Sequence, residues 1–272
     1  MKIHISLARV LIRLGSFLKS SAIMVMSSDD LVEFSRQSYD EPKSVLYWNN
    51  AETMNRGFDP AEQKLLDHIP VRTGNMLLLG VGGGREAIQF AQMGFNVTGV
   101  DFIPAMVENA IQNVERSQQK MQGLVQEISD LDVPDNEFDV SWLSASMYSC
   151  LPTRFRRVKL LHRVRRALKP GGFFGLQFQK GPLQEFSPRT AILHKIIAML
   201  TLGNLTYEPG DMLWGNNEFV HAFSSETELI SEFSEAGFQV VWLNFPEMNI
   251  RGEALLMKKD DIQSNFELET SH

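Results

Sequence analysis

The sequence holds a single cysteine, Cys150, in 272 residues. One thiol builds neither an internal disulfide nor a thiolate cage for zinc, so disulfide scaffolds and structural zinc modules are excluded and no metal site is expected. That usage suits a reducing cytosol. A surplus of positive charge is also missing: 26 Lys and Arg stand against 33 Asp and Glu, for a net charge of −7 and a pI near 5.4. Gripping a phosphate backbone needs a broad basic surface, so nucleic acid is not the expected partner. The sequence contains no internal repeat or low-complexity tract. What is there, 43% hydrophobic and 22% charged residues, suits one globular domain with additions.

The first 26 residues contain no acid at all. Arg9, Arg13 and Lys19 interrupt their apolar character. The stretch therefore falls short of the roughly 20 apolar residues of a spanning helix and of the unbroken run of about 7–15 in a secretory signal. Leu7, Leu11, Leu14 and Leu18 share one side at helical spacing, with Arg9, Arg13, Ser16 and Ser20 on another. This predicts an amphipathic helix, packed on its own domain, packed on a second subunit in a homodimer, or lying on an anionic membrane surface. The expected localisation is cytoplasmic, with peripheral membrane contact through residues 1–26 as the alternative.

Ser27-Ser28-Asp29-Asp30 reads as a helix start with Asp30 or a serine as N-cap, and Asp59-Pro60-Ala61-Glu62 as another running to about His68. From there short apolar runs alternate with helical stretches. The runs are 76–80, 95–101, a weak 123–128, 138–143 and 172–178, with helices near 84–93, 104–120 and 153–168. Such alternation gives parallel strands joined by helical crossovers. Two further runs, 238–243 and 254–258, follow a helix near 225–236 and have no room for one between them, so they pair antiparallel at one edge. The fold class is α/β: a doubly wound, mostly parallel seven-stranded sheet in three α/β/α layers, with an antiparallel C-terminal strand pair and an N-terminal helical extension. Residues 1–58 form that extension, 59–260 the catalytic domain, and 261–272 a flexible tail. The segment 180–221 is too long for a plain connection. It is expected to hold one helix, 189–202, and to cap the site.

The chemistry concentrates at residues 77–87, L-L-L-G-V-G-G-G-R-E-A. A glycine-rich turn from strand to helix lets backbone approach a ligand and aims a helix N-terminus at it. Gly82, Gly84 and Ala87 satisfy the dinucleotide pattern G-x-G-x-x-A, while Gly80, Gly82 and Gly84 satisfy the G-x-G-x-G of S-adenosylmethionine sites. Asp101, at the tip of the second strand, suits the ribose hydroxyls of either ligand. Downstream, Asp130 ends the third strand where a carboxylate accepts from an exocyclic amine, and 137–146 is a strand opening into small polar residues. Lys169-Pro170-Gly171-Gly172 then stops a basic helix before the fifth strand.

With these four motifs in order, the chain resembles the class I S-adenosylmethionine-dependent methyltransferases over roughly residues 60–258. The resemblance implies S-adenosylmethionine as cofactor and a methyl acceptor as second substrate. It places Gly80, Gly82 and Gly84 under the methionine part, Asp101 on the ribose, Phe102 beside the adenine and Met106 near the pocket. Asp130 and the Leu131 backbone would read the adenine edge, and Ser144 would sit near the sulfonium. In one respect the chain departs from the family, which often has an acid two residues before the first glycine: here stands Leu78, leaving Glu86 or the N-terminal segment to hold the cofactor's amino group.

Methyl transfer asks mainly for alignment and exclusion of water, and for a base only when the acceptor arrives protonated. His221 and Tyr148 are the candidate catalytic side chains, each weighed against ordinary packing. Cys150 has no local partner for a nucleophilic role. Tyr39, Tyr47, Trp48 and Trp214 are candidates for an aromatic acceptor lining, and the basic run from Arg154 to Lys169 for a solvated helix face. The expected function is methyl transfer to an O, N, S or C atom of a small molecule. The alternatives are a cofactor-binding protein without transferase activity and, further off, a nicotinamide-dependent oxidoreductase.

Overall fold

A computed structural model describes residues 3–181, 188–215, 217–247 and 251–259. Five helices come first: α1 (Ile3–Val25), α2 (Ser28–Asp40), α3 (Pro42–Trp48), α4 (Ala51–Asn55) and α5 (Pro60–Asp67). Their starts follow local chemistry. Ser27 caps α2 in a reciprocal capping box with Asp30, and Asp59 caps α5 in another with Glu62, with Pro60 in the first turn.

The alternating region follows as β1 (Gly74–Leu79), α6 (Arg85–Gln92), β2 (Phe95–Asp101), α7 (Pro104–Arg116), β3 (Met121–Val125), β4 (Phe138–Leu143), α8 (Arg154–Ala167) and β5 (Leu168–Gln179). Then come α9 (Pro188–Thr201), β6 (Asp211–Trp214), β7 (Glu218–His221), α10 (Glu226–Glu235), β8 (Phe238–Asn244) and β9 (Arg251–Lys258). Seven strands form one sheet in the order β3-β2-β1-β4-β5-β9-β8. β9 runs antiparallel to both β5 and β8, and the remaining pairs are parallel. The C-terminal pair thus inserts β9 inside the sheet and leaves β8 at the edge.

Side-chain alternation along β1 splits the core into two. Leu77 and Leu79 face Leu143, Leu160 and Phe174 on one side, while Met76 and Leu78 face Phe90, Val107 and Trp142 on the other. A third cluster, of Ile23, Met24, Leu31, Ala198 and Phe219, joins α1, α2, α9 and β7. β6 and β7 pair in a separate two-stranded hairpin. The helix expected at 189–202 is present as α9, but the hairpin in the same segment was not foreseen: four-residue strands are too short to show an alternation.

Two other local readings change. Lys169–Gly172 is not a turn ahead of the fifth strand. Leu168 already pairs with Phe138 and Phe173 with Val140, so the intervening residues bulge from the strand, with Gly171 at φ +75°. The third strand also ends at Val125, and Ile128–Asp130 curls into a single 3-10 turn. The tail expected at 261–272 and Pro182 of the cap segment lie outside the described residues.

The order of strands reverses on either side of β1 and β4, and this switch point opens a crevice at their C-terminal ends. The glycine turn after β1 occupies it. Gly84, at φ +95°, starts α6, and a Cβ there would lie 2.9 Å from the Ala110 Cα of α7. Its glycine therefore permits close helix packing. Gly84→Ala should destabilise the fold by about 1–3 kcal/mol through strain and crowding together, read from the urea midpoint at unchanged slope.

Candidate active site

A cleft opens at the strand tips, lined by residues of the glycine turn, the tips of β2 and β4, α2 and β7. Its floor is the glycine turn, with Gly80 and Gly82 in left-handed conformation at φ +68° and +51°. A Cβ on Gly80 would collide with Met147, whereas one on Gly82 would meet nothing within 4 Å. Gly82 therefore leaves open space for a ligand at its backbone.

Asp101 lies at the mouth of β2, only 7% exposed. Its carboxylate accepts the Gly82 N–H and the Ile103 N–H, each at 3.0 Å. Burial pushes its pKa up, and the backbone donors at Gly82, Ile103 and Phe102 pull it back. Phe102 and Met106 also line the cleft, as does Ser144 at the tip of β4. Of the residues implied by the resemblance, Gly80, Gly82, Asp101, Phe102, Met106 and Ser144 are thus brought together.

Three are not. Gly84 packs against α7, as described above. Asp130 stands on the surface paired with Lys159, and Leu131 is buried at 1% exposure in the sheet's core. The cause is the early end of β3: the Glu127 carboxylate accepts the Ser129 N–H at 2.9 Å and caps the 3-10 turn, which carries Asp130 outward. Glu127 and Ile128 line the cleft instead. The strand register carries the signal that locates them, since Val125 pairs with Asp101 and the residues just beyond Val125 share the level of the β2 tip.

Glu86 supplies the cleft's second buried carboxylate, in the first turn of α6. The Ser144 hydroxyl donates to its Oε1, and Arg85 Nη2 lies 3.0 Å from the same atom. Arg85 is itself held by Glu62, at 2.5 Å, and by the Gly57 carbonyl. Burial raises the Glu86 pKa to about 7, with Arg85 opposing it. Leu78, at 1% exposure, points into the core beside Trp142, so its apolar character is a packing requirement.

The N-terminal extension and the cap segment close the other side. Val32, Ser35 and Tyr39 of α2, Trp48, Thr53 and Met54 line the cleft together with Glu218 of β7. The Tyr39 hydroxyl donates to Glu218 Oε1 at 2.7 Å, and the Cys150 thiol donates to the same oxygen at 3.1 Å. Burial pushes the Cys150 thiol well up, with Glu218 adding to it, so it carries no thiolate nucleophile. A neighbouring cavity shares Ala145, Cys150 and Glu218 and is lined further by Trp214, Arg251 and Glu253. Tyr39 and Trp48 thus reach the first cleft and Trp214 the second, while Tyr47 is 53% exposed and lines neither.

Neither candidate catalytic side chain lines either of these two cavities. Tyr148 is fully buried, stacks on Phe223 and donates to Glu232 at 2.6 Å. His221 is fully buried with Nδ1 at 2.8 Å from Asp211 and Nε2 at 3.1 Å from Glu228. Burial lowers its pKa, but the hydrogen bonds to Asp211 and Glu228 prevail and raise it. Arg157, at 1% exposure, completes this network with Glu208 and Glu232, each at 2.7 Å. The network fastens β6 and β7 to α8 and α10. Glu208, Asp211 and His221 lie close enough to ligate a cation, yet the Arg157 guanidinium already supplies positive charge there. The rest of the basic run is largely paired too: Arg154 with Glu235, Arg156 with Asp29, and Arg166 with Asp135.

Residues 77–176, from within β1 to within β5, match the family described as a methyltransferase domain. An uncharacterised methyltransferase of Synechocystis is 30% identical over 145 residues, covering 53% of this chain and 66% of the relative. An S-adenosyl-L-methionine-dependent Diels-Alderase of Talaromyces variabilis is 29% identical over 144 residues, covering 52% and 49%. The chain thus spans about half to two thirds of the length of the curated relatives it matches. Among solved structures, the 1,6-didemethyltoxoflavin-N1-methyltransferase of Burkholderia thailandensis, with 1,6-didemethyltoxoflavin and S-adenosylhomocysteine bound, superposes with a TM-score of 0.55. It covers 91% of this chain and 90% of its own, at 19% identity, a likeness of fold. Because the family match falls on the very segment that builds the cleft floor, the chain carries a class I S-adenosylmethionine-dependent methyltransferase domain, with S-adenosylmethionine as its cofactor.

Proposed function

We propose that this chain transfers the methyl group of S-adenosylmethionine to a small-molecule acceptor held beneath the roof made by α2 and β7. One observation carries the reading: the cleft runs without a break from the glycine turn and Asp101 to Tyr39, Cys150 and Glu218. The relative with a bound small heterocycle, 1,6-didemethyltoxoflavin, has the same fold and supports a small acceptor.

The cofactor supplies an electrophilic methyl group on positively charged sulfur. The protein's own residues bind, orient and exclude water. Asp101 accepts from the ribose hydroxyls, with Gly82 N–H and Ile103 N–H holding its carboxylate in place. Phe102 and Ile128 provide apolar surface for the adenine plane, at the end of the cleft where Glu127 replaces the expected Asp130. Glu86, ionised, takes the cofactor's ammonium group in the role that Leu78 leaves empty. Glu218 faces the acceptor with a carboxylate able to take its proton, and the Tyr39 hydroxyl fixes that carboxylate's orientation.

A second reading has its own support. The Talaromyces relative is named for a cycloaddition, so S-adenosylmethionine dependence extends in that protein to a reaction other than methyl transfer. Incubation with methyl-labelled cofactor and a metabolite extract separates the two. Label should move into a small organic product; persistent failure to move it, with cofactor binding intact, would favour the second reading.

Two substitutions test the cofactor site by calorimetry. Asp101→Ala should weaken S-adenosylhomocysteine by about 100-fold, the worth of two charge-assisted hydrogen bonds, and unchanged affinity would refute the ribose role. Glu86 must be ionised to hold an ammonium. Its pKa of about 7 therefore makes affinity rise as pH climbs toward 7. Glu86→Gln should bind about tenfold more weakly at neutral pH and lose that pH dependence. Without ligand the sign reverses. The folded protein holds the Glu86 proton up to about 7 whereas an unfolded chain releases it near 4.5, so this group's contribution to stability falls as pH rises through that window. Glu86→Gln should therefore raise the melting temperature more at pH 8 than at pH 5, and an equal effect at both would contradict the burial account.

A further inference from the structure

The outer face of α1 and α9 is used neither by the cleft nor by the sheet. In α1 the buried residues are Ser20, Ile23 and Met24. Ser20 Oγ lies 3.3 Å from His194 Nε2 of α9, and Phe17 stacks on the same imidazole at 5.6 Å. The helix is thus docked by the side that carries its serines. Leu7, Leu11, Leu14 and Leu18 point the other way and are 50–59% exposed. α9 repeats the arrangement. His194 and Ala198 are buried, while Ile192, Ile196, Met199 and Leu200 are 41–82% exposed. A surface helix of a soluble domain normally puts its apolar stripe inward, so here two neighbouring helices present theirs outward over an area well beyond scattered exposed side chains.

Charge identifies the occupant. Arg13 and Lys19 on α1 and Arg189 and Lys195 on α9 are accompanied by no aspartate or glutamate on either helix, in a chain whose net charge is −7. Two copies meeting through this face would bring like charges together. An anionic lipid surface complements both properties at once: it accepts leucines below the headgroups while arginine and lysine reach the phosphates. No single helix among the described residues is long and apolar enough to cross a bilayer, so α1 would lie on it.

We propose that α1 and α9 form a docking platform that seats the protein on an anionic membrane. The cluster of Ile23, Met24, Leu31, Ala198 and Phe219 bonds this platform to α2 and β7, whose Tyr39 and Glu218 line the cleft. The roof of the cleft therefore rests behind the membrane face.

The test uses the full chain and flotation with vesicles of phosphatidylcholine alone or with one part in about three of phosphatidylglycerol. Binding should be at least about tenfold tighter to the anionic vesicles and should weaken as salt is raised. Leu11→Glu with Leu14→Glu, and separately Arg13→Glu with Lys19→Glu, should each weaken it by about tenfold or more. Melting temperature and S-adenosylhomocysteine affinity should stay at wild-type values, since these side chains are remote from the cleft and the cores. Failure of the wild-type protein to bind either vesicle would overturn the proposal, as would binding unaffected by both double variants. Dimers in solution that Leu11→Glu with Leu14→Glu dissolves, without vesicle binding, would overturn it in favour of a second copy. The readout is lipid binding, so it stands or falls independently of methyl transfer.

Discussion

The carboxylate of Asp101 ties together three elements at one point: the tip of β2, the glycine turn after β1 and Ile103, the residue that leads into α7. Both of its backbone donors belong to the cleft, so the geometry of the floor exists before any ligand arrives. The turn is pinned again at its two ends. Gly80 lies against Met147 and Gly84 against Ala110, so each glycine is needed where backbone meets a neighbour too closely for a side chain. Only Gly82 is left facing open space. Three glycines of one motif thus have three physical reasons, of which one concerns a ligand directly.

Around this floor the protein arranges its charges in two ways. In the cap, His221, Asp211, Glu228, Arg157, Glu208 and Glu232 satisfy each other away from the cleft, with His221, Asp211, Arg157 and Glu232 buried. Removing one member leaves another buried and unpaired, which makes such a network costly to break and good at fixing a single arrangement. In the cleft, by contrast, Asp101 and Glu86 are buried with carboxyls pushed upward by loss of water. Groups held in that condition gain from a ligand that brings hydroxyls or a positive charge. The contrast separates attachment of the roof from the chemistry beneath it.

Much of this was legible in the sequence. β2 and β4 match the expected spans residue for residue, because apolar residues alternating with polar or small ones, bounded by turn residues, mark a strand. Asp101 could be placed because it ends such a strand, and the family resemblance then pointed to Phe102, Met106 and Ser144. The errors arose where the strand signal was weak. β3 is short and only partly buried, so its end was set too late and the wrong acid, Asp130, was assigned to the cleft. Tyr148 and His221 attracted a catalytic reading by residue type, yet burial and partners decide such roles: Tyr148 is held by Glu232 of α10, 84 positions on, and His221 by Asp211 and Glu228 on either side of it. The contributions of Tyr39 and Glu218 to one wall arise from residues 179 positions apart, a separation that no local pattern records.

The central claim is that Asp101, Glu86 and the Glu127–Ile128 tip hold the cofactor, with Glu86 in place of an acid at position 78 and the Glu127–Ile128 tip in place of Asp130. A crystal structure with S-adenosylhomocysteine bound tests it most directly. The ribose hydroxyls should lie within hydrogen-bonding distance of Asp101, the amino group against Glu86, and the adenine between Phe102 and Ile128. An adenine amine on Asp130, or an amino group held away from Glu86, would contradict the account.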